Sequence, residues 1–211
     1  MVNLKNIVVG FLVSFIGSVP LGYLNVIGFD IYTQKGISAT IHYLLGVILI
    51  ELLVIYLTLI FAKRLADNKK LTQFIEGFSI IFMLVLATVF YVGSSPTNHN
   101  RTVFSNIQHF YFLSGILFSG FNFIQIPFWT GWNLWLLNGK HIEISGVRKY
   151  GYLLGTIVGT FCGMLSLIVS LYYFSANIDF LSKYLMKIII PTVFLGLGMF
   201  QLFKFFRKYY T

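Results

Sequence analysis

Six apolar segments run along the chain, at roughly 6–29, 38–62, 74–93, 107–137, 150–174 and 185–206, separated by short polar stretches. Each is long enough for the ~20 residues that a bilayer-spanning helix needs, and the longer ones leave room for tilt. A membrane barrel would instead need ~10-residue strands of alternating polarity, a pattern absent from the sequence. The segments predict an all-α, polytopic membrane protein with six transmembrane helices, forming one membrane domain over 1–211. The first segment opens with a single lysine, as a signal peptide does. No small-x-small cleavage site closes it and the apolar run continues too far, so it is read as helix 1.

Composition agrees with this pattern: 57% of the 211 residues are hydrophobic and 10% are charged, whereas soluble domains carry about 25% charged residues. The net charge of +9 would suit a nucleic-acid binder, but topology explains it better. Six spans place both termini on one side, which collects Lys5, Lys63, Arg64, Lys69, Lys70, Lys140, Arg148, Lys149, Lys204, Arg207 and Lys208. Lys35, Arg101, Lys183 and Lys187 fall on the other. The split of 11 to 4 puts both termini in the cytoplasm by the positive-inside rule. Cys162 is the one cysteine, so no internal disulfide forms. The expected partners are lipid and a small solute, with no nucleic acid and no cofactor.

The chain carries a weak internal repeat. Pro20 and Pro127 are 107 positions apart, as are Ile37-Ser38 and Ile144-Ser145, and YLLG at 43–46 returns at 152–155. Repeat 1 covers about 1–93 and repeat 2 about 107–211; helices 3 and 6 show no comparable match. A unit of three helices makes the second copy enter from the opposite side, and the charges around Lys35 and around Lys140 agree with opposite sides. Inverted repeats of this kind build many secondary transporters, with sites where interrupted helices meet near the midplane.

Helices 1 and 4 both look interrupted. Ser14, Gly17, Ser18, Gly22, Asn25 and Gly28 form a small and polar stripe around Pro20 in helix 1; Gly115, Ser119, Asn122, Gln125, Trp129 and Asn133 form another around Pro127 in helix 4. Proline removes a backbone donor, and freed carbonyls in lipid need protein or a watery cavity. The stripes therefore mark a pathway, or else faces of close helix packing. "GSVPLGYLN" and "LSGILFSGFNFIQIPFWTGWN", each followed by a glycine-bearing helix, resemble the LysE-type family of amino-acid exporters, in the form found in Bacteroidetes-type bacteria. The resemblance covers about residues 5–206. It implies a six-helix exporter in the bacterial cytoplasmic membrane, with amino acids as the usual cargo. The family's Pro-Gly-Pro of helix 1 is reduced here to Pro20 and Gly22, and its adjacent Asn-Pro of helix 4 is here split between Asn122 and Pro127.

Glu51, in the middle of helix 2, is the most informative single residue. An intramembrane carboxyl is costly, faces the protein interior and usually has a task, here carrying a proton or meeting an ammonium group; the alternative is structural glue between helices. Asp30 is a candidate exit or coupling group, or a helix-end residue. His42 and His109 lie near outer helix ends. Metal ligands at recognisable spacing are absent, so no metal site is expected. Gly151, Gly155, Gly159 and Gly163 make a bare ridge for helix packing. Trp132 and Trp135 suit interface anchors, whereas Trp129 shares the polar stripe. No ATP-binding motif and no nucleophile–base pair appears, so the expectation is a secondary transporter rather than an enzyme. The substrate pathway would comprise Pro20, Gly22, Asn25, Glu51, Asn122, Gln125, Pro127 and Trp129. The alternatives are an inorganic-cation exporter, relying on Glu51 and Asp30, and a membrane assembly protein that docks through its glycine ridge. Association into a homo-oligomer is left open.

Overall fold

A computed structural model describes residues 4–18, 22–67, 69–93, 110–177 and 188–209. Pro20, Arg101, His109, Lys183 and Lys187 lie outside the described residues. Helices α1 (Leu4–Ser18), α2 (Tyr23–Asp67), α3 (Lys69–Gly93), α4 (Tyr111–Gly120), α5 (Gln125–Asn138), α6 (Arg148–Asn177) and α7 (Ile190–Tyr209) follow in order. No strand occurs among the described residues. The chain divides into two compact units: residues 1–68 with 111–170, and residues 69–110 with 171–211.

All six apolar segments are helical where described, but two of them are broken. Segment 6–29 is divided between α1 and the start of α2, and segment 107–137 between α4 and α5. The stripe from Ser14 to Gly28 is therefore not one helix face; it spans two helices. The expected loop near Lys35 is reduced to a single residue: Gly36 has φ 74° and ψ −170°, a backbone state that glycine adopts without steric cost. There α2 folds back on itself. The Tyr43 hydroxyl donates to the Leu24 carbonyl at 3.0 Å, although these residues would stand about 28 Å apart along a straight helix rising 1.5 Å per residue.

By length and composition, two helical stretches among the described residues can cross a membrane, Tyr23–Ala62 and Arg148–Ser175. The pair α4 and α5, bent by 72° at its break, makes a third, as a broken span or a re-entrant loop. The surface suits hydrocarbon. Leu4, Val8, Leu12 and Ile16 form an exposed line on α1, and Leu45, Leu49, Leu53 and Leu57 form one on α2. Asn6, Ser14, Thr40, Ser119, Asn133 and Thr156 have no exposed surface at all. Large apolar side chains outside and hydrogen-bonding ones inside invert the usual order of a water-soluble domain.

In the first unit the helices approach backbone to backbone through glycine. A Cβ on Gly46 of α2 would collide with the Phe112 carbonyl oxygen of α4, and one on Gly115 of α4 with the Tyr43 carbonyl oxygen of α2. The α1–α6 contact repeats this arrangement: Gly155 faces the Ile7 carbonyl and Gly10 the Tyr152 carbonyl. The ridge continues, with Gly159 against Phe11 and Gly163 against Phe15; Gly151 is buried in the same helix. The expected packing role of the ridge thus has a definite partner, α1. Around this contact Ile55, Leu59, Trp129, Leu136, Ile142, Tyr152 and Leu153 form an apolar core.

The turn between α5 and α6 is tied to α1. Buried Asn6 donates through Nδ2 to the carbonyls of Glu143 (2.7 Å) and Arg148 (2.9 Å) and accepts from the Glu143 N–H at 3.3 Å. Glu143 also pairs with Arg148, both side chains being exposed. In the second unit α3 packs on α7. Gly198 faces Leu84 and Met83, and Glu76 pairs with Lys208 at 2.7 Å.

Gly46→Ala and Gly155→Ala should each lower stability by about 1–3 kcal/mol, the usual cost of overpacking, because backbone rather than a flexible side chain stands in the way. Gly131→Ala, where the new methyl meets nothing within 4 Å among the described residues, should be neutral or stabilising, since alanine favours helix. Thermal unfolding midpoints in detergent would separate the three variants.

Candidate functional site: two helix breaks and a buried carboxyl

The last carbonyls of a helix have no partner within it, and at both breaks a side-chain amide supplies one. Asn25, in the first turn of α2, donates through Nδ2 to the Ser18 carbonyl at 2.9 Å. Gln125, the first residue of α5, donates through Nε2 to the Ser119 carbonyl at 3.0 Å. Both amides are buried. Asn25 thus stands in for the N–H that a continuous helix would have provided, and Gln125 adds a second donor to a carbonyl that the break leaves with one tight-turn backbone bond. Asn122 lies within the second break, where its N–H bonds the Ser119 carbonyl at 3.0 Å and its own carbonyl receives the Gln125 N–H at 3.2 Å. Gly22 occupies the matching place before α2, its carbonyl accepting from the N–H groups of Asn25 and Val26.

Pro127 does not sit at the point of interruption. It is the third residue of α5, in the first turn, where a missing N–H costs nothing. The break itself occupies 121–124, so the proline starts the second helix rather than kinking a continuous one.

The two breaks lie side by side. The Tyr23 hydroxyl at the start of α2 donates to the Phe118 carbonyl near the end of α4, at 2.6 Å. Gly17, near the end of α1, faces the Phe128 ring at the start of α5.

Glu51 stands next to this junction. Its Oε1 accepts from the Trp129 indole Nε1–H at 3.2 Å, and the Thr160 hydroxyl of α6 is a second hydrogen-bond partner. Thr160 in turn bonds Ser14 of α1, and one turn before Glu51 the Val47 carbonyl accepts from the Ser119 hydroxyl at 3.2 Å. No cationic side chain pairs with Glu51 among the described residues. The carboxyl is partly buried, held by neutral donors, and so placed to take up a proton or a cationic group that arrives.

A second polar cluster continues along the same helix faces, since residues three, four and seven apart lie together. Asn133, a turn beyond Trp129, donates to the Thr58 hydroxyl at 3.1 Å and accepts from the Tyr152 hydroxyl at 2.8 Å. Trp129 is 1% exposed and belongs to the site, whereas Trp135 is 57% exposed and stacks on His141.

The expected residues therefore divide. Asn25, Glu51, Asn122, Gln125 and Trp129 cluster around the paired breaks, with Gly22 and Pro127 shaping the backbone. Asp30 does not join them; its Oδ1 accepts from Gln34 at 2.7 Å on its own helix. His42 likewise bonds locally, to the Ser38 carbonyl. Among the described residues no three His, Cys, Asp or Glu side chains converge as metal ligands do. Tyr23, Tyr43, Thr58, Tyr152 and Thr160 were not among the expected residues. Two of them carried a signal: Tyr43 and Tyr152 open the two YLLG copies.

No protein family, curated protein or solved structure matches the chain.

Gln125→Leu should cost about 0.5–1.5 kcal/mol, the net worth of one hydrogen bond, because the Ser119 carbonyl keeps the Asn122 N–H as a donor. Tyr152→Phe and Asn133→Leu should be strongly non-additive in a double-mutant cycle, with unfolding in detergent as the readout.

Proposed function

We propose that the chain is a secondary exporter of amino acids or similar small zwitterions, with six spans arranged as two inverted three-helix repeats. It would lie in the cytoplasmic membrane of a bacterium, both termini inside, as a LysE-type exporter does. One observation carries the proposal: the contacts of the first unit recur with their helices exchanged. Moving 105 positions takes Ile7, Gly10 and Ser14 of α1 to Phe112, Gly115 and Ser119 of α4. Moving 109 takes Tyr43, Gly46 and Glu51 of α2 to Tyr152, Gly155 and Thr160 of α6. Under these shifts the Gly155–Ile7 contact becomes Gly46–Phe112, and Gly10–Tyr152 becomes Gly115–Tyr43. Glu51 and Thr160, which hydrogen-bond each other, are then counterparts, as two residues facing across a pseudo-two-fold axis would be.

Adjacent helix breaks near such an axis are the architecture in which transporters bind small solutes. The break amides and the helix start at α5 suit a carboxylate. Glu51 suits an ammonium group or a coupling proton. The separation of Asp30 from Glu51 favours this cargo over an inorganic cation, which would need clustered acids.

In cells lacking their own amino-acid exporters and loaded with dipeptides, the wild-type chain should release one or a few amino acids. Glu51→Gln should reduce that release about tenfold or more, a loss of ~1.4 kcal/mol or greater in barrier terms. Membrane-impermeant thiol reagents should label Lys35→Cys from outside and Lys140→Cys only after permeabilisation, both in a Cys162→Ser background. Labelling of both positions from one side would refute the inverted arrangement. An unchanged metabolite profile despite confirmed insertion would refute export.

A further inference from the structure

The second unit carries a site that the export reading does not use. At the end of α7 the apolar run gives way to Lys204, Arg207 and Lys208. Gln201, Lys204, Phe205 and Lys208 are spaced three, four and seven apart and so share a face. With Glu76 and Ile80 of α3 and with Arg207 they line a cavity of about 490 Å³. The lining holds three cations and one carboxylate. Glu76 engages Lys208, and this hydrogen bond pushes the Lys208 pKa up, so the ammonium remains charged. Lys204 packs over the Phe200 ring at 5.6 Å; among the described residues neither it nor Arg207 is paired with a carboxylate. The cavity therefore has two positive charges in excess.

A further feature narrows the ligand. The Gln201 Oε1 atom is buried and has no hydrogen-bond partner among the described residues. A buried acceptor without a donor is costly, and a phosphate, which only accepts, cannot satisfy it; a hydroxyl can. Phe203 and Phe206 are exposed on the same helix, giving apolar surface beside the cations. Phosphate, hydroxyl and hydrocarbon occur together in one class of molecule.

We propose that the cavity between α3 and α7 binds the headgroup of a phosphatidylglycerol-type lipid. Lys204 and Arg207 take the phosphate, the Gln201 oxygen accepts from a glycerol hydroxyl, and the acyl chains lie along the α7 aromatics. Basic pockets between helices at the cytoplasmic boundary are suited to anionic headgroups.

The test is native mass spectrometry of the full chain purified in detergent and titrated with dioleoyl phosphatidylglycerol, dioleoyl phosphatidic acid or dioleoyl phosphatidylcholine. Phosphatidylglycerol should be retained best, and the Lys204→Gln/Arg207→Gln double variant should lose at least about tenfold of that retention, as expected for two cations facing an anionic headgroup. Gln201→Leu should abolish the preference for phosphatidylglycerol over phosphatidic acid while keeping the preference over phosphatidylcholine. Lys35→Gln, a charge change in the other unit, should alter nothing. Equal retention of phosphatidylcholine, an equal loss in Lys35→Gln, or displacement of the lipid by millimolar inorganic phosphate would each overturn the proposal.

Discussion

The closeness of α1 to α6 and of α2 to α4 is the constraint on which the first unit depends. A Cβ at Gly46, Gly115, Gly10 or Gly155 would press on a backbone carbonyl of the neighbouring helix. Where the driving force for helix association is packing rather than escape from water, such close approach supplies much of it. It also sets the scale of everything between the helices. With the backbones in contact, hydroxyls as short as those of Ser14 and Ser119 can reach across to the next helix, and no large apolar side chain fits between them.

The same closeness makes broken helices tolerable. A break frees carbonyls, and away from water each needs a donor. Asn25 and Gln125 return over their own breaks to provide one, and Tyr23 provides another across to the neighbouring break. Because these donors are side chains, they can be withdrawn without unfolding a helix, which a backbone N–H cannot. Under the export reading this is what lets the junction accept a substrate and then close again. Glu51 fits the same logic, since an indole N–H and a hydroxyl hold it without neutralising it.

The second unit follows a different principle. Its glycines face side chains rather than backbone: Gly77 lies near the Phe205 ring and Gly198 near leucine and methionine side chains. Its polar chemistry gathers at the charged end, at Glu76 and the α7 cations. Helices α3 and α7 are also the two for which no internal sequence match exists. Both facts have one physical origin. A packing ridge and a helix break demand particular residues at particular positions, whereas side-chain packing against a partner accepts many combinations of apolar residues.

The sequence by itself determined the helical class, the apolar segments and which of them are interrupted, because hydrophobic run length and the small-polar content of a run are local properties. It singled out Glu51 for a similar reason: a carboxyl in a long apolar run is conspicuous without knowledge of its neighbours. It also marked Gly151, Gly155, Gly159 and Gly163 as a packing ridge. Only the tertiary structure decided what that ridge packs against and that α2 turns back at Gly36. It also decided that the break precedes Pro127 rather than occurring at it, and that Asp30 stays apart from the site. Those outcomes depend on contacts between residues dozens of positions apart, such as Glu51 with Trp129 or Ser14 with Thr160. Thr58 and Thr160 look like ordinary helix residues until the neighbouring helix brings a polar group within reach, so their roles exist only in the folded chain.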